Sequence, residues 1–130
     1  MHLKLITHDR IVFDEDVNEI YTRGVDGEFG ILENHVPIMT ALEVGVTKAV
    51  QGDKIKLFTT MGGIFQFKDN DAIILTDNAE SGSDIDVARA KAAKERAEAR
   101  LADKSTEIDA KRAEAALARA KARLKVALNK

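Results

Sequence analysis

The stretch SGSDIDVARA, residues 81–90, is where the chain changes alphabet and its reading splits the fold in two. Upstream the residues are β-branched, aromatic and punctuated by glycine. Downstream, residues 84–130 hold fifteen alanines and neither glycine nor proline, so helix propensity is high throughout. Ser81-Gly82-Ser83 reads as a hinge. Ser83 and Asp86 have capping-box spacing, and the acids Asp84 and Asp86 suit the positive end of a helix. A first helix is therefore expected from about residue 84 to 102. Asp103-Lys104-Ser105-Thr106 should break it, with Ser105 or Thr106 capping a second helix to about residue 128.

Both helices are lean. The second has an apolar line at Leu117, Ala120, Leu124 and Leu128, the spacing of one face. The first offers Ile85, Ala88, Ala92, Ala99 and Leu101. At roughly 25 cal/mol per Å² of apolar surface, alanine faces stabilise a hairpin only marginally. Such a tail should dock and detach at small cost.

Six of the eight arginines lie beyond residue 83. With the turn near residues 104 and 105, antiparallel pairing puts Asp86 near Arg123, and Arg89 near Arg119 and Ala120. Arg89 and Arg96 are two turns apart on one face, and Arg119 and Arg123 one turn apart. Arginines of both helices then converge where the first helix begins and its free N–H groups point outward. Surplus guanidiniums repel one another, and a polyphosphate would relieve them because their forks match phosphate oxygens. A plainer reading stands beside this one. Asp86 is then the N3 member of a capping box, paired with Arg123 in an exposed salt bridge worth about 0–1 kcal/mol. Arg100 and Arg112 fit no such convergence and read as solvated.

Residues 1–80 read as short strands: LKLIT, EDVNEIYTRG, GVTKAV, DKIKLFTT, GIFQFK and DAIILTD alternate in part and carry β-branched or aromatic residues. Turn chemistry separates them at Gly24 to Gly27, Gln51-Gly52-Asp53, Gly62-Gly63 and Asp69-Asn70-Asp71. The pattern implies an antiparallel β-sandwich or flattened barrel over 1–80, a hinge at 81–83 and a two-helix antiparallel hairpin over 84–130. Within the sandwich, GEFGILENHVPIMTALEVG (residues 27–45) is unusually specific. His35 has no nearby Ser or Cys partner and reads first as a hydrogen-bonded turn residue. Glu28 reads as a solvated carboxylate at a turn.

Composition narrows the function classes. Residues 1–83 carry 7 basic and 14 acidic side chains, whereas residues 84–130 carry 13 basic and 8 acidic ones. Opposite-sign halves point to two units with different jobs. Interspersed acids and an acidic sandwich argue against nucleic-acid binding. With no cysteine and no clustered histidine there is no thiolate or zinc-type site. The N-terminus lacks a signal-peptide pattern, and no run of about 18 apolar residues suggests a membrane span. A soluble, intracellular chain is expected. No Walker loop or catalytic constellation suggests an enzyme.

The chain resembles the family of epsilon subunits of the bacterial F-type ATP synthase. A Gly-x-x-Gly-x-Leu-x-x-His-x-Pro stretch is matched by Gly27, Gly30, Leu32, His35 and Pro37. The Gly62-Gly63 pair, Asp77-Asn78-Ala79-Glu80 before the hinge and the helical tail also fit. The string Ile85-Asp86-x-x-Arg89-Ala90 is similar to the start of the first helix in ATP-sensing members. By that resemblance the ATP site comprises Glu80, Ile85, Asp86, Arg89, Ala90, Arg96, Arg119 and Arg123. ATP is then a regulatory ligand that is not hydrolysed, with no implication about magnesium.

The resemblance also implies partners: the gamma subunit and c-ring for the sandwich, with Glu28 and His35 facing the ring. An extended tail is expected to reach the beta (and alpha) subunits of the catalytic head. Residues 111–130 hold seven basic residues and one acid, which suits an acidic partner. The implied location is peripheral, on the cytoplasmic face of the bacterial membrane through the complex. A purely structural rotor subunit, with a tail that does not sense ATP, is the competing reading.

Overall fold

The computed structural model of the chain describes residues 1–103 and 107–129, and the expected caps at Ser105 or Thr106 lie outside the described residues. Eight strands come first: β1 (His2–Ile6), β2 (Ile11–Asp16), β3 (Glu19–Gly24), β4 (Gly27–Leu32), β5 (Ile38–Gln51), β6 (Lys54–Lys68), β7 (Asp71–Leu75) and β8 (Ala79–Ser81). A 3-10 turn, Gly82–Asp84, then leads to α1 (Val87–Ala102) and α2 (Glu107–Leu128). The β-rich part followed by two helices is the expected order. The first helix starts later than expected because Ile85 is extended, at φ −101° and ψ 128°, and interrupts the helical run.

The strands form one continuous path, β2-β1-β7-β6-β5-β3-β4, with β8 paired to β6. Every pair is antiparallel except β1 with β7, which runs parallel from His2–Asp71 to Ile6–Leu75. Within the expected antiparallel sandwich, that pair is the one departure among the described strands. The chain regains the side of β1 only after β6, so no hairpin dictates the direction of that pair.

Strands β5 and β6 make a single long hairpin, in one register from Ile38–Phe67 to Gln51–Lys54. Gly62-Gly63 is therefore not the turn that its composition suggests. The two glycines hold φ of +77° and +111° inside β6. On one side of them Phe58 to Thr60 pair with β8, and on the other Ile64 to Lys68 pair with β7. The kink lets one strand serve two partners. The turn at Asp69-Asn70 is as expected, with both residues at positive φ, as a two-residue hairpin of the primed kind requires.

Alternation sets the core. Leu3 and Leu5 of β1, Ala72 and Ile74 of β7, and Ile20 of β3 point inward with Phe13, Phe58, Phe65 and Phe67. Phe13 and Phe58 pack at 5.2 Å between ring centroids. Three buried threonines, Thr22, Thr47 and Thr60, satisfy one another at 2.8 and 3.0 Å, as hydroxyls in a core must. The hairpin buries alanines seven residues apart on each helix: Ala90 and Ala97 on α1, Ala113 and Ala120 on α2. Helix α2 also rests on β5 and β6, where Val126 and Ala127 are buried. Meeting two neighbours rotates the expected apolar line, so Leu117 and Leu124 are half-buried and Leu128 is 63% exposed. On α1, Ala88 and Ala99 likewise face solvent.

At one edge of the sandwich, both ring nitrogens of His2 meet carboxylates: Nδ1 is 2.8 Å from Asp16, and Nε2 contacts Asp14. Two such bonds fit only the doubly protonated ring. The Asp14 bond first, and the Asp16 bond second, raise the His2 pKa above 6.5. A folded pKa above the unfolded one adds stability that is complete below pH 6.5 and fades as pH rises through the raised value. His2→Gln is thus expected to lower the midpoint of denaturant unfolding at about pH 5.5 and leave it nearly unchanged at about pH 9. Equal losses at both pH values would refute the charged bridge.

A Cβ at Gly63 would lie 1.9 Å from the Leu75 carbonyl oxygen, on a backbone already at positive φ. Gly63→Ala should therefore destabilise the sandwich by about 2 kcal/mol or more. Denaturant unfolding followed by far-UV circular dichroism measures this, and a loss under about 0.5 kcal/mol would show that the kink is dispensable.

Candidate functional site

Glu80 sits in β8, opposite Thr59 of β6. Its backbone N–H donates to the buried Thr59 hydroxyl at 2.9 Å, which fixes the chain beneath the carboxylate. That carboxylate accepts from Nε of Arg123 at 2.8 Å, the two side chains being 20% and 30% exposed. Arg123 belongs to α2, so one half-buried ion pair ties the hairpin to the sandwich.

The hinge next to it is closed by local hydrogen bonds. Ser81 donates to Asp84 Oδ2 from its N–H at 3.2 Å and from its hydroxyl at 3.0 Å. The hinge box is thus Ser81 with Asp84, in place of Ser83 with Asp86. Asp86 is itself the N-cap of α1 and accepts from the Arg89 N–H at 3.0 Å. Extended Ile85 moves the helix start past Asp86, which takes the carboxylate away from the expected pairing with Arg123. Glu80 fills that place.

Hinge, α1 and α2 enclose a cleft of about 230 Å³. Glu80 comes from β8 at the sandwich edge, Asp84 and Ile85 from the hinge, Asp86, Arg89, Ala90 and Ala93 from the start of α1, and Arg123 from α2. Six residues of the sequence-derived set therefore meet: Glu80, Ile85, Asp86, Arg89, Ala90 and Arg123. Arg96 and Arg119 do not line this cleft. Arg96 is exposed two turns along α1, and Arg119 is half-buried one turn before Arg123. Three carboxylates and two guanidiniums face the space, a mixed lining where an arginine surplus was expected. Each carboxylate is already engaged: Glu80 by Arg123, Asp84 by Ser81, Asp86 by the helix cap. Among the described residues Arg89 makes no ion pair, so its guanidinium is available to an anion beside the helix start.

Glu28 and His35 are not brought together. Glu28, the second residue of β4, lies beside the β3–β4 turn and faces a groove under α2, with Lys121 and Lys125 across it. His35 follows the far end of β4. Its Nδ1 bonds the Val36 carbonyl at 2.6 Å, and its ring stands edge-on to Phe67 at 6.0 Å. That is the turn-residue role first read for it. In the family motif, Gly30 lets Tyr21 lie on the strand, since a Cβ there would sit 2.6 Å from the ring.

Three contributors escaped the sequence reading. Asp84 was legible, since Ser-x-x-Asp at 81–84 is itself box spacing. Thr59 and Arg10 carry no local signal, because they reach the hinge only through the tertiary fold. Among the described residues no cluster of His, Asp or Glu could hold a metal ion, and no helix is long and apolar enough to cross a membrane.

The comparisons fit this architecture. Residues 1–82 match the family model for the ATP synthase, Delta/Epsilon chain, beta-sandwich domain, and residues 83–127 match its long alpha-helix domain. The ATP synthase epsilon chain of Desulforamulus reducens is 45% identical over 102 residues, 78% of this chain and 77% of that one. The epsilon chain of Pelotomaculum thermopropionicum is 45% identical over 103 residues, covering 79% and 77%. A chain in the Euglena gracilis mitochondrial ATP synthase, solved as an assembly of OSCP, F1 and c-ring in rotational state 1, superposes with a TM-score of 0.83. It is 26% identical, and the match covers 97% of this chain and 79% of that one. With both halves of the fold matched in order, the chain belongs to the ATP synthase delta/epsilon chain family, as a non-catalytic epsilon chain of the bacterial kind.

Proposed function

We propose that the chain is a subunit of the central stalk whose helical tail responds to ATP and restrains ATP hydrolysis when ATP is scarce. The observation that carries this is the composition of the cleft. Its walls come from the sandwich edge, the start of α1 and the end of α2, so a ligand fills it only while the hairpin is folded and docked. Arg89 and Arg123 offer guanidinium forks to phosphates, and the N-terminus of α1 adds its positive end. Arg96 and Arg119 lie on the flanking turns, where a ligand longer than the cleft would meet them.

A ligand that binds the docked state alone stabilises it by RT ln(1 + [L]/Kd), about 2.7 kcal/mol at a hundredfold excess. Against a seam of alanines, that shifts the population decisively. When the cleft is empty, the basic α2 is released. In the assembled enzyme its partners are then acidic segments of the beta and alpha subunits, while the sandwich stays with the gamma subunit and c-ring, its Glu28 and His35 surfaces facing the ring. ATP is sensed and not hydrolysed, and the chain reaches the membrane's cytoplasmic face only through the complex. The family match and the Euglena gracilis superposition support membership of such an assembly.

One observation favours a purely structural reading. The Glu80–Arg123 pair joins the hairpin to the sandwich through protein groups alone.

Calorimetric titration with ATP, with ADP as control, separates the two readings. Saturable one-to-one binding that prefers ATP is expected. Arg89→Ala and Arg123→Ala should each weaken it at least tenfold, about 1.4 kcal/mol, while Arg100→Ala changes it less than twofold. No heat at millimolar ATP would leave the tail structural. Loss of binding in Arg119→Ala with full binding in Arg123→Ala would move the site off this cleft.

A further inference from the structure

We propose that Arg10 is a positioning residue for the tail: it grips the hinge from the sandwich and so sets how readily the hairpin docks. Arg10 lies in the loop between β1 and β2, 69 positions before the residue it bonds. Its Nη2 donates to the Ala79 carbonyl at 3.1 Å and lies 3.9 Å from Asp84 Oδ2. One guanidinium therefore touches both ends of the segment from Ala79 to Asp84. Between those ends stand Glu80, which holds Arg123, and Ser81, which bonds the same Asp84 oxygen.

The hinge needs such a grip. Strand β8 has three residues and pairs with β6 alone among the described strands. So short a strand, bonded on one side, opens at low free energy. Thr59 pins Glu80 from the β6 side, and Arg10 pins Ala79 from the other. The loop that presents Arg10 is itself braced, with the Thr7 N–H on the Arg10 carbonyl at 2.9 Å and the Thr7 hydroxyl on Asp9 at 2.6 Å.

A charge-assisted bond to a carbonyl is among the stronger kinds. Here it is half exposed, and the contact with Asp84 is long, so the grip is modest. A modest grip suits a part that must release. If Arg10 let go, β8 would loosen, Glu80 would leave its line with Arg123, and the cleft would lose its hinge wall before the helices themselves changed.

The test uses the full chain with two introduced cysteines, Lys54→Cys on the sandwich and Arg112→Cys on α2, labelled for energy transfer; the native sequence has none to interfere. Without ligand, Arg10→Ala should raise the undocked-to-docked ratio roughly threefold to tenfold, and Arg10→Lys should restore it in part. The thermal transition of the sandwich should not move. The consequence for ATP rests on the reading above: its affinity should fall several-fold in Arg10→Ala, by loss of the docked population. Should Arg10→Ala weaken the sandwich itself, Arg10→Met gives the readout, since it keeps a long side chain with neither the charge nor an N–H donor. Unchanged energy transfer in Arg10→Ala, or in Arg10→Met where that variant is needed, overturns the proposal. Failure of ATP to bind the wild-type chain overturns the sensor reading instead and leaves the ligand-free comparison decisive for Arg10.

Discussion

The structure turns on a single half-buried ion pair, Glu80 with Arg123, set on a strand three residues long. Among the described residues, the fully buried side chains of α2 are alanines and one valine, and its lysines face acids across an open groove. Alanine contacts hold helices close but bury little area each. A pair that is 20% and 30% exposed is less screened than a solvated one but costs more to desolvate, and it is still within reach of water. Docking is therefore local and breakable. Its location at the hinge matters more than its strength, because the hinge decides where Glu80 stands.

That constraint explains why the cleft forms where it does. The chain must pass from a strand to a helix within five residues, and it does so through a 3-10 turn and an extended Ile85. Each carboxylate along the way takes a structural partner. Asp84 holds Ser81, Asp86 caps α1, and Glu80 receives Arg123. Arg123 offsets the charge of Glu80, whereas Asp84 and Asp86 take neutral hydrogen-bond partners and keep theirs, which the basic groups of the cleft must balance. Of the two guanidiniums there, Arg89 is the one that makes no ion pair among the described residues, and it stands beside the helix start.

Much of this was legible in the sequence because it depends on local pattern. The change of alphabet at residues 81–90, the alternating strands, the Asp69-Asn70 turn and the gathering of Asp86, Arg89 and Arg123 all follow from propensity and period. What was not legible is what the third dimension decides. Gly62-Gly63 has turn composition, but its neighbours already have partners in β5, so it becomes a kink within a strand. Leu128 has the right period for a seam, but α2 must face both α1 and the sandwich, and the leucine is left outside. The parallel pairing of β1 and β7, the Thr59 hydroxyl under Glu80 and the reach of Arg10 link residues far apart in sequence, and no short-range signal marks them.

The charge division between the halves gives the tail its alternatives. Docked, α2 sets Lys111, Lys121 and Lys125 across a groove from Glu28 and Glu43 of the sandwich; Glu43 pairs there with Arg23 at 3.5 Å, and among the described residues no direct ion pair joins helix to sandwich across the groove. Attraction across water is long-ranged and screened over about 8–10 Å at physiological salt. It steers the helix home without locking it. The same lysines cannot face the sandwich and a second acidic surface at once, so in the proposed function docking and reaching outward compete for one basic face. The short contacts at the hinge then break the tie, because only they distinguish a helix that is merely nearby from one that is aligned.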